Sequence, residues 1–364
     1  MNKSEILCIG LGQCGGILAN GMKEKNSRYS VAFINSSMGD TKGMKFANST
    51  NVFIYSGSDG SGGDRNRTKI YFENDKMRLA SFLRKFSQFK FVKLFSSLDG
   101  GSGSGSLCRV TELINKMLPN VDVEIIGVLP KLSLPNTNLQ NTLDCISELS
   151  RIGDMYSSIR FINNDNCGVK KGYSEINEKA IEILDLTYGM IGHDSEGGSI
   201  DESDLENVCT ASGYGLTLKL DLEVSNLQDA ISKAKIDSVF AVPNDLSCDY
   251  SAINISKREG YDLDRIANII HADYRSYKTY NNKGINVIAL GGCQMPNEEI
   301  QSIQSELDER ELERKVSGRN KGFNLNIKSS NNTNNKPKKQ ERREEVDLFD
   351  DDFMDKLLDD DFDL

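Results

Sequence analysis

The feature that most constrains this chain is the run Asp99-Gly100-Gly101-Ser102-Gly103-Ser104-Gly105-Ser106. It follows an apolar stretch, Phe91-Val92-Lys93-Leu94-Phe95, which reads as a buried strand. It precedes Leu107 to Leu118, where Leu107, Val110, Leu113, Ile114 and Met117 recur at helical spacing. The glycines therefore lie between a strand and a helix. Glycine permits a sharp turn and lets backbone amides approach a ligand without an intervening side chain. A helix start adds unpaired N–H groups and a partial positive charge. Together these make an anion cradle, and phosphate is the usual anion. Ser102 and Ser104 offer hydroxyl donors. A flexible Gly/Ser linker has the same composition, but a linker has no reason to sit tightly between a buried strand and an amphipathic helix. The P-loop is excluded, because Gly-x-x-x-x-Gly-Lys-Ser/Thr occurs nowhere in the chain.

At 364 residues the chain exceeds one ordinary domain, so two domains and a tail are expected. No signal peptide or membrane span is legible, which predicts a cytoplasmic protein with no membrane partner. The eight cysteines form no Cys-x-x-Cys pair and only His193 and His271 accompany them. A zinc site is not expected, and reduced thiols are. The lack of a nucleophile–histidine constellation argues against covalent hydrolase chemistry. Glu344, Glu345 and the aspartates that follow account for the whole net charge of −10. The preceding part is neutral on balance, so no direct nucleic-acid binding is expected of the globular part.

Ile6 to Ile9 reads as the first strand and leads into Gly10-Leu11-Gly12-Gln13-Cys14-Gly15-Gly16, with a helix from Ile17. Alone, Gly10-x-Gly12-x-x-Gly15 suggests a dinucleotide fold. The second strand, Val31 to Ile34, ends in Asn35-Ser36-Ser37 without the acid that a NAD ribose requires. Val52 to Tyr55 is a third strand, followed by a Gly/Ser loop from Ser56 to Gly63. Val123 to Leu129 is a strand before Pro130-Lys131-Leu132-Ser133, and Asn136 to Ser150 reads as a helix. Ile159 to Ile162 is a strand ending in Asn163-Asn164-Asp165. Tyr173 to Met190 reads as one long helix with Tyr173 and Asn177 on one face. Ser199-x-x-Glu202 reads as a capping box for the next helix.

From Gly213 the pattern predicts a smaller α/β domain. Its strands are Leu216–Leu220, Ser238–Val242 and Ile285–Leu290, and its helices Asn226–Ile236 and Tyr261–Tyr274. A charged helix, Asn297 to Val316, follows. Ser317 to Arg343 is too polar to bury a core. The last segment sets Phe349, Phe353 and Leu357 on one helical face among aspartates. It is either a solubilising tail or a segment that folds on a partner.

Gly100-Gly101-Ser102-Gly103-Ser104-Gly105 closely resembles the glycine-rich signature of the tubulin/FtsZ superfamily of GTPases. Serine stands where that family usually has threonine, and Asp99 where FtsZ usually has glycine. Gly12-Gln13-Cys14-Gly15 resembles the first phosphate loop of tubulins. Asn35-Ser36-Ser37 resembles the Asn-Thr-Asp of FtsZ without its acid, and the loop from Ser56 loosely resembles the one that senses the terminal phosphate. Pro130-Lys131-Leu132-Ser133 resembles the loop beside the ribose. Asn163-Asn164-Asp165 resembles the guanine-side Pro-Asn-Asp of FtsZ, and Tyr173-x-x-x-Asn177 a tubulin pair that stacks on guanine and reads its edge. Asp201 and Asp204 match the two acids of the FtsZ synergy loop, with Ser199 at its asparagine.

The resemblance implies a tubulin/FtsZ-like α/β fold. A Rossmann-like GTP-binding domain would span 1–172, a central helix 173–192 and an activation domain with the synergy loop 193–296. A helix at 297–316, a disordered linker at 317–346 and an acidic interaction tail at 347–364 would follow. It implies GTP/GDP and Mg2+ as ligands. Gly12, Gln13, Cys14, Gly15, Gly100, Gly101, Ser102, Gly103, Ser104 and Gly105 would hold the phosphates. The magnesium would be held mainly by those phosphates, with Gln13 nearby and no direct protein ligand. Asn164, Tyr173 and Asn177 would recognise guanine. Asp201 and Asp204 would be catalytic toward nucleotide held by the neighbouring subunit of a head-to-tail homopolymer. Within the superfamily the charged tail fits the TubZ-like branch, which moves plasmid or phage DNA through an adaptor, here through residues 347–364. A cell-division cytoskeletal protein, a non-hydrolysing GTP-binding scaffold and a dinucleotide oxidoreductase remain as alternatives. Nucleotide selectivity and phosphate release separate them.

Overall fold

The computed structural model describes residues 1–165, 172–224 and 226–316. The expected linker and acidic tail at 317–346 and 347–364 lie outside them. In chain order the elements are β1 (Ile6–Leu11), α1 (Gly12–Lys25), β2 (Ser30–Asn35), α2 (Met38–Thr41), β3 (Val52–Ile54), α3 (Arg65–Arg84), β4 (Phe91–Ser97) and α4 (Ser102–Met117). Then come β5 (Asp122–Leu129), α5 (Asn136–Arg151), β6 (Ser158–Asn163), α6 (Tyr173–Thr187), β7 (Gly192–Asp194), β8 (Gly198–Ile200), α7 (Glu202–Thr210) and β9 (Gly213–Lys219). The last are α8 (Leu227–Ile236), β10 (Cys248–Ser256), α9 (Leu263–Ile270), β11 (Ala272–Asn281), β12 (Val287–Cys293) and α10 (Asn297–Val316).

Ten strands make one sheet in the order β11-β10-β12-β9-β6-β5-β4-β1-β2-β3, with β7 and β8 as a separate hairpin. Strands β1 to β6 pair in parallel. A parallel sheet covered on both faces requires strands apolar on both sides, and β1 is buried throughout. Beyond β9 the pairing turns antiparallel, β9 to β12 and β12 to β10. This is a mixed α/β architecture whose parallel half carries both glycine motifs, as anticipated.

Five local expectations are corrected. Helix α4 begins at Ser102 rather than Leu107, and α1 at Gly12 rather than Ile17, so the glycines of both motifs occupy first helical turns. Ser238–Val242 is not a strand. Because β9 pairs with β6 only at Ser158 and Ile159, the exposed edge of β6 is closed by single bonds: Asn163 N–H donates to Val239 O and Ala241 N–H to Phe161 O. The helix expected over Tyr261–Tyr274 stops at Ile270, where His271 takes φ +54° and its N–H closes on Ala267 O. A left-handed residue terminates a helix, and the chain leaves it as β11, paired in parallel with β10. The capping box of α7 is formed by Asp201 and Asp204, not by Ser199 and Glu202.

Candidate functional site

The order β3-β2-β1-β4-β5-β6 reverses direction between β1 and β4. In an open parallel sheet the crevice at the carboxyl ends of the strands flanking that reversal is where ligands bind. Both glycine motifs emerge there. β1 passes straight into α1 at Gly12, whose φ is +67°. A Cβ on Gly12 would lie 2.9 Å from Gly103 N, and one on Gly103 would lie 2.9 Å from Leu11 O. Any side chain at either position would drive the two helix starts apart. The first turns of α1 and α4 therefore bring Gly12, Gln13, Cys14 and Gly15 together with Gly100, Gly101, Ser102, Gly103, Ser104 and Gly105. Gly105 N–H already closes on Gly101 O at 3.1 Å, so the amides left for a ligand are those of the residues before it.

The two signature serines have different roles. The Ser102 hydroxyl shares hydrogen bonds with Ser36 (2.5 Å) and Ser61 (3.0 Å), tying the loops after β2 and β3 to the head of α4. The Ser104 hydroxyl is buried, donates to Gly100 O and accepts from Arg65 Nε at 3.1 Å. Arg65 in turn donates to Glu148 at 2.7 Å. The expectation that Ser104 offers its hydroxyl to a ligand is thus corrected; only its backbone N–H remains for that purpose. Asp99 is held by Ser97, by Asn138 Nδ2 at 3.0 Å and by Asn141 Nδ2, which donates to its carbonyl at 3.0 Å. Burial, with the Asp99 carboxylate adding to it, pushes the Cys14 thiol up to about 12. It stays neutral at physiological pH.

At the end of β6, Asn164 is buried and its Oδ1 has no hydrogen-bond partner among the described residues. An orphaned buried acceptor costs about 1–3 kcal/mol, and a ligand carrying N–H donors would satisfy it. Tyr173 opens α6 with its side chain about half exposed, and Asn177 follows one turn later, half-buried. Burial, then Asp99, Asp165 and Cys14, raise the Tyr173 phenol above its ordinary range. Lys131 Nζ lies 4.8 Å from the centre of the Tyr173 ring.

Asp201 and Asp204 are not brought to this crevice. The amino group of Met1 donates to Glu202 O at 2.6 Å, so the start of α7 sits where the chain enters β1. The glycine motifs leave the other end of that strand. Six residues of strand separate the two ends by about 20 Å. Asp201 Oδ1 accepts from Asp204 N–H at 2.9 Å, and Asp204 Oδ2 accepts from Asp201 N–H at 3.0 Å. The backbone bond from Asp204 holds the Asp201 carboxyl below its ordinary range. The spacing of the two acids thus has a local cause, yet Asp201 remains exposed and Asp204 half-buried. Ser61, Arg65, Asn138 and Asn141 join the site without having been singled out from the sequence. Only Ser61, inside the Gly/Ser loop, carried any local signal.

Residues 5–167 match the model of the tubulin/FtsZ family GTPase domain. They are a tubulin/FtsZ-family domain. Over 314 residues, 86% of each chain, the protein is 25% identical to the tubulin-like protein TubZ of Clostridium botulinum C phage. The tail-truncated structure of C. botulinum phage c-st TubZ superposes with a TM-score of 0.77 at 23% identity, covering 86% of this chain and 99% of that one. A GTPγS-form protofilament of TubZ from Bacillus thuringiensis serovar israelensis gives 0.71 at 15% identity, covering 86% and 94%. These likenesses extend the tubulin/FtsZ fold well past the family domain, to most of the chain. Among the described residues no helix is long and apolar enough to cross a membrane.

Proposed function

We propose that this protein is a TubZ-like GTPase that assembles head to tail and completes each active site between two subunits. The observation that carries the reading is the separation of the site into two halves. The two helix starts and the orphaned Asn164 acceptor occupy one end of the sheet, and the acids Asp201 and Asp204 at the start of α7 the other. A head-to-tail contact is the arrangement that joins opposite ends of identical chains. In this reading the amides of Gly12, Gln13, Cys14, Gly15 and of Gly100 to Ser104 hold the phosphates, with the Ser102 hydroxyl beside them and Gly105 leaving room for the turn. Asn164 accepts from guanine N–H groups, Tyr173 stacks on the base, and the Asn177 amide both donates and accepts along its edge. Asp201 and Asp204 of one subunit orient water at the γ-phosphate held by the next, which is positioning and electrostatics rather than covalent chemistry. Among the described residues no three His, Cys, Asp or Glu side chains form a metal site. Magnesium would enter on the phosphates, near Gln13.

The finer role, moving plasmid or phage DNA through an adaptor docked on residues 347–364, rests on the likeness to TubZ and on the composition of that segment. A pull-down of DNA-binding proteins with full-length and with 1–346 protein tests this, and capture that survives the truncation would refute it. Nucleotide choice tests the core of the reading. By calorimetry GTP is expected to bind while ATP and NAD do not, and Asn177→Asp is expected to weaken GTP at least tenfold. Equal affinity for ATP and GTP would refute guanine recognition. Electron microscopy with GTP and with GDP would show whether filaments form.

A further inference from the structure

The loop between β5 and α5 lies over the base side of the crevice and is held from two directions. From within, Leu132 N–H donates to Asp165 Oδ2 at 2.6 Å, and Asp165 N–H to Asn163 Oδ1 at 2.9 Å. From outside, the guanidinium of Arg310 on α10 donates to Leu132 O, to Leu134 O at 2.6 Å and to Asn136 Oδ1 at 3.3 Å. Its Nε is fixed by Glu306 one turn earlier, at 2.6 Å. Four acceptors thus surround one planar fork, a geometry that lysine cannot reproduce. The loop so held places Lys131 Nζ 4.8 Å from the centre of the Tyr173 ring. The ammonium backs one face of the ring, and a cation over an aromatic face fixes its orientation.

The other end of α10 is fastened elsewhere. Glu299 Oε1 accepts from Val242 N–H at 3.0 Å, and Glu298 Oε1 from Asn244 Nδ2 at 2.8 Å. The segment 238–244 also closes the edge of β6 immediately before Asn164. Helix α10 therefore braces both chain segments that carry base-side residues, the loop with Lys131 and the end of β6 with Asn164.

We propose that Arg310 is a positioning residue for the nucleotide base. From α10 it sets the 130–136 loop so that Lys131 holds the Tyr173 ring ready to stack, which couples α10 to nucleotide occupancy. This rests on the reading of Tyr173 as the guanine platform. Arg310 itself touches no ligand, so its effect passes through Lys131.

The test is a double-mutant cycle on GDP affinity, measured by calorimetry on full-length protein, with hydrogen exchange on α10. Arg310→Ala and Lys131→Ala are each expected to weaken GDP about five- to tenfold, and the double variant no more than the stronger single one. Arg310→Lys is expected to behave like Arg310→Ala. GDP is expected to slow exchange in α10 of the wild type, and the protection is expected to vanish in Lys131→Ala, whose α10 is otherwise intact. Losses that simply multiply, or an Arg310→Ala affinity within twofold of wild type, would overturn the proposal while leaving guanine binding untouched. A wild type that binds no guanine nucleotide would overturn the platform reading and this proposal with it. Should Arg310→Ala fail to fold, the Lys131→Ala exchange result decides alone.

Discussion

Glu124→Gln is expected to destabilise the protein by about 3–5 kcal/mol, a large share of what a domain has. Glu124 on β5 is 1% exposed and stands between Lys93 on β4, 1% exposed, and Arg160 on β6, fully buried. It accepts from Lys93 Nζ at 2.6 Å, from Arg160 Nε and from Tyr188 OH at 2.7 Å. Two cations share one anion in the middle of a covered sheet, and Arg160 Nη2 already lacks a partner among the described residues. Removing the carboxylate strands both cations where water does not reach. Lys93→Met leaves a neutral Glu124–Arg160 pair and is expected to cost about 2 kcal/mol or less. Urea unfolding at neutral pH measures both. Equal costs would show that the carboxylate is not the keystone.

The same cluster predicts acid sensitivity. Burial alone would raise the Glu124 carboxyl; Lys93 and Arg160, with the hydrogen bonds from Lys93 and Tyr188, prevail and hold it at about 2. A carboxyl lower in the folded than in the unfolded state stabilises fully above its ordinary value of 4.5. That contribution is lost as pH falls from there toward about 2, in all about 3 kcal/mol. Wild-type stability is expected to fall across this window more steeply than that of Glu124→Gln, which has no such proton to bind.

The second large effect is on turnover. Asp201→Asn/Asp204→Asn is expected to lower GTP hydrolysis about a hundredfold while leaving GTP affinity unchanged, as the removal of water-orienting charges does. Asparagine is the informative replacement. It caps a helix as well as aspartate does, so the hydrogen bonds of the Asp201–Asp204 box persist and only the charges are lost. A merely structural pair would therefore tolerate it. Because each complete site needs two subunits, wild-type specific activity is expected to rise with protein concentration, and filaments of the double variant to persist with GTP. Unchanged turnover in the variant, measured by phosphate release, would return these acids to a capping role alone.

What the sequence determined is the set of contacts that are local in chain. The Asp99–Ser106 run had to join a strand to a helix, because glycines and small polar residues between an apolar run and a helical repeat leave the backbone little else to do. Gly12 to Gly15 followed from the same logic, whereas the four-residue spacing put Tyr173 and Asn177 on one helical face and only the resemblance to tubulins pointed them at a base. The strand pattern of β1 to β6 carried the fold, since doubly covered strands are apolar over most of their length. Tertiary structure alone decided the rest. Whether 238–242 became a strand depended on how far β9 followed β6, which no local pattern encodes. The burial of Ser104 came from Arg65, thirty-nine residues away in the chain, and the placing of the 130–136 loop from Arg310 on a helix whose own sequence is charged on every side. Lys93, Glu124 and Arg160 lie in three separate strands, and only parallel register makes them one cluster. Hydrogen bonds and ion pairs form between whatever groups the backbone brings within about 3 Å. Their partners are therefore set by the packing of the sheet and not by neighbours in sequence.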